Sequence, residues 1–212
     1  MSSMTTTAPE SGGTRMRSED RRVLILEAAT AVFGERGYHG ATTDVIARAA
    51  GVSQPYVVRM FGSKEAMFLA VLDRALDRII ETFRASIEEN RASGDADDRE
   101  ALARCVGRGY VDLLADRGLL LSLMQAFMLG SDPVVGAAGR SGLRRVYGYL
   151  RDEVGLDAEA TTHFLAHGML LNTVVGLRMA DDYQGDPAVR ELLDEMLPTK
   201  IDVLLHLRDT DS

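Results

Sequence analysis

The sequence predicts an all-α protein, with an N-terminal three-helix helix-turn-helix domain and a C-terminal helical bundle domain, and three observations carry that expectation. Apolar residues recur three and four apart along most of the 212 residues, and no alternating run is long enough to propose a strand. Glycines and Asp-Pro steps punctuate the pattern at Gly37, Gly118, Gly130, Gly155, Asp132-Pro133 and Asp186-Pro187. Between Thr42 and Phe61 the residues read as a short helix, a three-residue turn and a second helix, an arrangement that can present its second helix to the major groove of DNA.

Residues 1–17, rich in Ser, Thr and Gly, are expected to form a disordered tail. A first helix, about Glu19–Glu35, places Ile25, Leu26, Ala29, Val32 and Phe33 inward and stops at Gly37. Thr42 or Thr43 caps the next helix, with Asp44 near the positive end of its dipole. Ile46, Ala47 and Ala50 share one face; Gly51 can take the left-handed conformation that ends the helix, and Val52 plugs the corner. Ser53 is read as the cap of the second helix, Pro55 fits its first turn, and Val57 and Phe61 point to the core. Gln54, Tyr56, Val58, Arg59 and Met60 are left facing away.

Ser63 caps a long helix, about Lys64–Asn90, which would span roughly 40 Å at about 1.5 Å per residue. A break at Ala92–Asp97 precedes helices at about Asp98–Ala115, Leu119–Leu129, Pro133–Val154, Ala158–Ala180 and Pro187–Leu207, with Pro198 expected to kink or cut the last. Gly118 is read as a stop between two of them.

Nearly half of the residues (46%) are apolar, enough to bury a core, yet no run approaches the roughly 18 apolar residues of a membrane span. The first residues lack the apolar stretch of a signal peptide, so a cytoplasmic location is expected. The single cysteine, Cys105, excludes an internal disulfide and a thiolate cluster for zinc, and is read as buried filler. The net charge of −8 is uneven: residues 1–65 hold eight basic and seven acidic groups, leaving −9 for the remainder. An acidic body with a near-neutral, cation-bearing end suits a protein that meets DNA through that end alone.

The stretch from about residue 19 to 79 resembles the TetR family of transcriptional regulators. Ile25-Leu26-Glu27-Ala28-Ala29, Val32-Phe33, Gly37-Tyr38, Thr42-Thr43, Ile46-Ala47, Ala50-Gly51-Val52-Ser53, Phe61 and Lys64-Glu65 carry the resemblance, many residue types at fixed spacing across three helices. It implies a DNA-binding domain over 18–64 and a helical ligand-binding and dimerisation domain over 65–212. The chain departs from the family at two positions. Val58 stands where a tyrosine often contacts phosphate, and Met60 stands where His or Tyr is frequent. Tyr56 and Arg59 are the residues that can compensate.

Candidate DNA-binding residues are therefore Thr42, Thr43, Ser53, Gln54, Pro55, Tyr56, Val58, Arg59, Met60 and Lys64. Gln54 suits adenine, Arg59 guanine or a phosphate, and Tyr56 a phosphate or a thymine methyl. Thr42, Thr43 and Ser53 can donate to phosphate, although Ser53 is first a cap; for Arg59 and Tyr56 the motif favours DNA contact over a solvated charge and a packing role. Lys64 resembles the family's lysine at the start of the fourth helix, which with free backbone N–H groups holds a phosphate. Seven residues of helix reach only a few base pairs, so a two-fold dimer on an imperfect palindrome is expected.

Tyr110, Met124, Phe127, Met128, Tyr147, Phe164, His167 and Asn172 are candidate lining for an apolar ligand pocket, with core packing as the plainer role of each. His163 and His167 lie one helical turn apart, but no Glu follows His163 and no third ligand is evident, so neither metal nor cofactor is expected. The expected function is a homodimeric, ligand-responsive repressor released from double-stranded DNA by a small hydrophobic effector. An activator or effector-independent DNA-binding protein is the alternative, and an all-helical enzyme the remote one.

Overall fold

The computed structural model describes residues 18–92, 99–198 and 200–209. The expected tail (1–17) and most of the expected break after the long helix fall outside them. Helix α1 (Ser18–Gly40) opens with Glu19 and Asp20, whose charges oppose the positive end of the helix dipole. Ile25, Leu26, Ala29, Val32 and Phe33 form its buried stripe. The expected stop at Gly37 is a break within α1, where the backbone turns to φ 67°, ψ 172° before one more turn reaches Gly40.

Thr42, rather than Thr43, caps α2 (Thr43–Ala49), its hydroxyl accepting from the Val45 N–H at 3.2 Å. Gly51 at φ 65° makes the turn into α3 (Gln54–Phe61). Ser53 stands in the cap position with extended backbone, but its hydroxyl makes no cap bond. The reason is local. Pro55 has no N–H, and the Tyr56 N–H is already taken by the Ser53 carbonyl at 3.0 Å. Helix α4 (Lys64–Ala92) is capped by Ser63, which accepts from Ala66 N–H at 3.0 Å. Its buried residues run from Met67 to Asn90, so one rod of about 43 Å serves both ends of the molecule.

Helix α5 (Arg99–Asp112) continues as a 3-10 turn, Leu113–Ala115, before α6 (Arg117–Met128). Asp116 caps α6 through Leu119 N–H at 3.1 Å. Gly118 therefore sits inside a helix instead of stopping one. Helices α7 (Val135–Asp152) and α8 (Ala158–Gly176) follow, started by Asp132 and Asp157 through their carboxylates. α8 ends four residues earlier than its apolar pattern suggests. Arg178 takes the left-handed conformation, φ 56°, and a 3-10 turn, Met179–Asp182, follows. The single helix expected over Pro187–Leu207 is two, α9 (Pro187–Met196) and α10 (Ile201–Asp209), separated at Pro198.

Among the described residues there is no strand, and no helix is long and apolar enough to cross a membrane. One hydrophobic core runs from Ile46 and Val57 through α4 to Leu171 and Leu204. Phe33, Tyr38 and Phe68 hold α1 to α4, with Phe33 and Phe68 edge to face at 4.8 Å. α1 also crosses α6 closely enough that a Cβ at Gly34 would lie 2.7 Å from the Gly118 Cα. Cys105 is buried, and its thiol donates to the Ser86 carbonyl at 3.0 Å.

Candidate nucleic-acid interface and apolar cavity

Val57 and Phe61 anchor α3 in the core, so its opposite side faces solvent. Ser53, Pro55, Val58 and Arg59 are exposed there, with Thr42 exposed at the start of α2. Gln54 and Thr43 are brought together, the amide Nε2 donating to Thr43 Oγ1 at 3.2 Å; this holds the first turn of α3 against α2. The remaining amide N–H and the carbonyl oxygen of Gln54 can still address a base edge.

Tyr56 and Arg59 also meet. The Arg59 guanidinium lies 5.0 Å from the centre of the Tyr56 ring, and Arg21 of α1 lies 5.7 Å from the same ring. Two cations thus share one aromatic anchor, an arrangement worth about 0.5–1 kcal/mol per exposed contact. In the sequence Arg21 and Arg22 read equally as phosphate contacts from the first helix and as a solvated face. No spacing links residues 21 and 56; only folding brings the long Arg21 side chain of α1 onto the Tyr56 ring of α3. Arg22 rests on Phe61 at 4.6 Å.

Met60 and Lys64 both make contacts within the protein. Met60 is half-buried and packs against the core, because the end of α3 turns toward α4. The Lys64 ammonium donates to the Tyr38 carbonyl at 3.0 Å and stacks on the Tyr38 ring at 4.6 Å, leaving two of its three N–H groups to offer. Burial, then the charges of Glu65 and Asp132, push the Tyr38 phenol up, so it stays neutral beside that ammonium.

A short helix braced by a buried partner, with a polar outer face and cations at its rim, has the form of a helix-turn-helix. Residues 25–71 match the sequence profile described as bacterial regulatory proteins, tetR family, which gives the N-terminal domain of this chain as one of the TetR type. The HTH-type transcriptional activator FasR of Mycolicibacterium smegmatis is 38% identical over 94 residues, 44% of this chain and 41% of that protein. The HTH-type transcriptional regulator RutR of Escherichia coli K12 is 37% identical over 87 residues, 41% of each chain. The matches thus span about two fifths of these relatives. The fatty acid degradation regulator FadR of Bacillus halodurans superposes with a TM-score of 0.60 at 20% identity, over 90% of this chain and 97% of that one. That likeness extends the shared fold beyond the N-terminal third.

In the helical body a cavity of about 70 Å³ lies between α4, α5, α6, α7 and α8. Of the candidate lining residues, Tyr110, Phe127, Phe164 and Asn172 face it. Phe127 and Tyr147 line an adjoining open groove of about 640 Å³. Met124, Met128 and His167 line neither space. Met128 is 78% exposed because α6 ends there, and His163 and His167 are both exposed on α8. Among the described residues no group of three or more His, Cys, Asp and Glu side chains is placed to hold a metal ion.

The phenol of Tyr110 donates to Asn172 Oδ1 at 2.9 Å, and burial pushes its pKa up to about 12 from 10.0. The phenol is neutral in folded and unfolded chains below pH about 10; between about 10 and 12 only the unfolded chain ionises, so rising pH costs stability there. Tyr110→Phe is therefore expected to flatten the decline of Tm from pH 10 to 12. At pH 7 it loses about 1–3 kcal/mol by unpairing Asn172. Native and variant Tm curves running parallel above pH 10 would remove Tyr110 from that decline.

Proposed function

We propose that the protein is a homodimeric, ligand-responsive repressor that holds a palindromic operator with α3 of each subunit and lets go when an apolar effector enters the body. The carrying observation is α6. Its inner half supplies Leu123 and Phe127 to the cavity, while its first turn lies against α1 at Gly118. A molecule that displaces Phe127 acts on the helix bearing the DNA-binding end. Helix α4 offers a second link, through Leu76, Ile79 and Phe83 in the cavity and Arg74 paired with Glu27 of α1 at 3.1 Å. Differential affinity of a few kcal/mol between the two states is enough for a useful shift.

Pairing is supported by α8 and the residue that follows it, which leave Met169, Leu170 and Leu177 exposed. Together with α9 and α10 they suit a helical bundle across a two-fold axis. The similarity to a relative named as an activator favours activation as the second reading. Selecting bound sequences from a random DNA pool is expected to return two inverted half-sites, about 34 Å or a related spacing apart. A reporter under that site is expected to rise when the gene is deleted. A fall would favour the activator, and a consensus without inverted symmetry would end the dimeric reading.

A further inference from the structure

The inner cavity is chemically one-sided. Every side chain lining it is apolar except Tyr110 and Asn172, which sit together on its wall. Asn172 is only 4% exposed. Its Oδ1 takes the Tyr110 hydrogen, and among the described residues its Nδ2 donates to no protein acceptor. Turning the amide round exchanges these roles, for Nδ2 would then donate to the phenol oxygen and the phenol O–H would be the spare donor. In either orientation a hydrogen-bond donor is left at an otherwise apolar wall.

We propose that the effector is an elongated apolar molecule with one uncharged hydrogen-bond-accepting oxygen near its inner end, a ketone or an ester, received by the Asn172 amide. The inference rests on the ligand-responsive reading above and names the chemistry of its ligand. A hydrocarbon end would leave the buried amide unpaired, and a site built to bond an oxygen discriminates strongly against the analogue lacking it. A carboxylate or ammonium would shed its water with no opposite charge on the cavity wall to replace it.

Size sets the shape. At about 70 Å³ the inner cavity is much smaller than the groove beside it, so only the carbonyl end of a longer molecule enters it. The rest of the molecule leaves past Phe127, Leu143, Leu165 and Met169, the four residues common to the cavity and the open groove. Met169 is the yielding member of that set, unbranched and partly exposed. Arg140 is the one charged side chain among the described groove residues, and it donates to the Gly130 carbonyl at 3.0 Å.

The test compares three molecules of one length on the full chain without DNA: 2-octanone, its isostere 2-methyl-1-octene, and octanoate. Affinities are read from the ligand-dependent rise in Tm. The ketone is expected to bind at least tenfold more tightly than the alkene, with octanoate weakest. The double variant Tyr110→Phe, Asn172→Leu replaces both polar partners with apolar groups of similar shape, which keeps packing intact. In it the ketone and alkene are expected to bind alike. Equal binding to the native protein, octanoate binding tightest, a ratio unchanged in the variant, or no binding by any of the three would each overturn the proposal. A ketone that binds with the expected ratio but leaves operator affinity unchanged would instead sink the ligand-responsive reading and spare the site.

Discussion

Tyr56→Ala and Arg59→Ala are each expected to weaken operator binding at least tenfold while leaving helical content unchanged. Arg59 is exposed and Tyr56 half-buried, so neither substitution opens the core that Val57 and Phe61 fill. A tenfold loss is about 1.4 kcal/mol, within the roughly 1–3 kcal/mol that one good base contact supplies. Tyr56→Ala should exceed its own contact, because its ring is the shared anchor of Arg21 and Arg59. A double-mutant cycle of the Tyr56 and Arg59 variants is then expected to be non-additive. The salt dependence separates the two roles of Arg59. Losing a phosphate contact lowers the slope of log affinity against log salt by about one, whereas losing a guanine contact relaxes the consensus at one position. Gel-shift affinity unchanged in both single variants would remove this face of α3 from DNA recognition.

Gly34→Ala is expected to be the most disruptive small substitution at the junction of the DNA-binding end and the body. The added Cβ would stand 2.7 Å from Gly118 Cα and 3.1 Å from its carbonyl oxygen, both main-chain atoms of α6. Backbone cannot step aside as a side-chain tip can, so α1 and α6 must separate. Overpacking of this kind costs about 1–3 kcal/mol, or some 2–4 °C of Tm per kcal/mol in a chain of this size. Operator affinity should fall with it, because the pose of α1 sets the pose of α3. Gly148→Ala in α7 makes the opposite control. Nothing but the Asp152 carboxylate comes within 4 Å of the new methyl, and the substitution should be neutral or stabilise by up to about 1 kcal/mol. Equal Tm values for the two variants would show that the α1–α6 crossing is not tight.

The helices themselves were legible because their signals are local. The Ile25–Phe33 stripe, the Thr42 and Ser63 caps and the left-handed Gly51 depend on neighbours within a turn or two, and each occurs where its residue type indicates. Asp157 and Asp186 likewise start α8 and α9 through their carboxylates. The helix-turn-helix is legible for the same reason, a contiguous run whose every constraint is internal. Where neighbours already use the donors, even a local signal misleads: Ser53 has the right residue type and backbone but no N–H left to accept from.

Residues distant in the chain acquired their roles only on folding. Gly118 reads as punctuation and is instead a crossing point, where a Cβ would stand 3.0 Å from the Thr30 carbonyl oxygen of α1. Arg21 reaches Tyr56 from another helix, and Lys64 turns to Tyr38 across 26 residues. Of the pocket candidates, Tyr110 and Asn172 meet across 62 residues while Met128 points away, a division that composition and periodicity cannot make. Backbone hydrogen bonding and side-chain periodicity are short-range, so the sequence alone settles which segments are helical and which face each buries. Which side chains share a cavity or flank a recognition helix depends on how those helices cross, and crossing angles follow from the packing of whole surfaces.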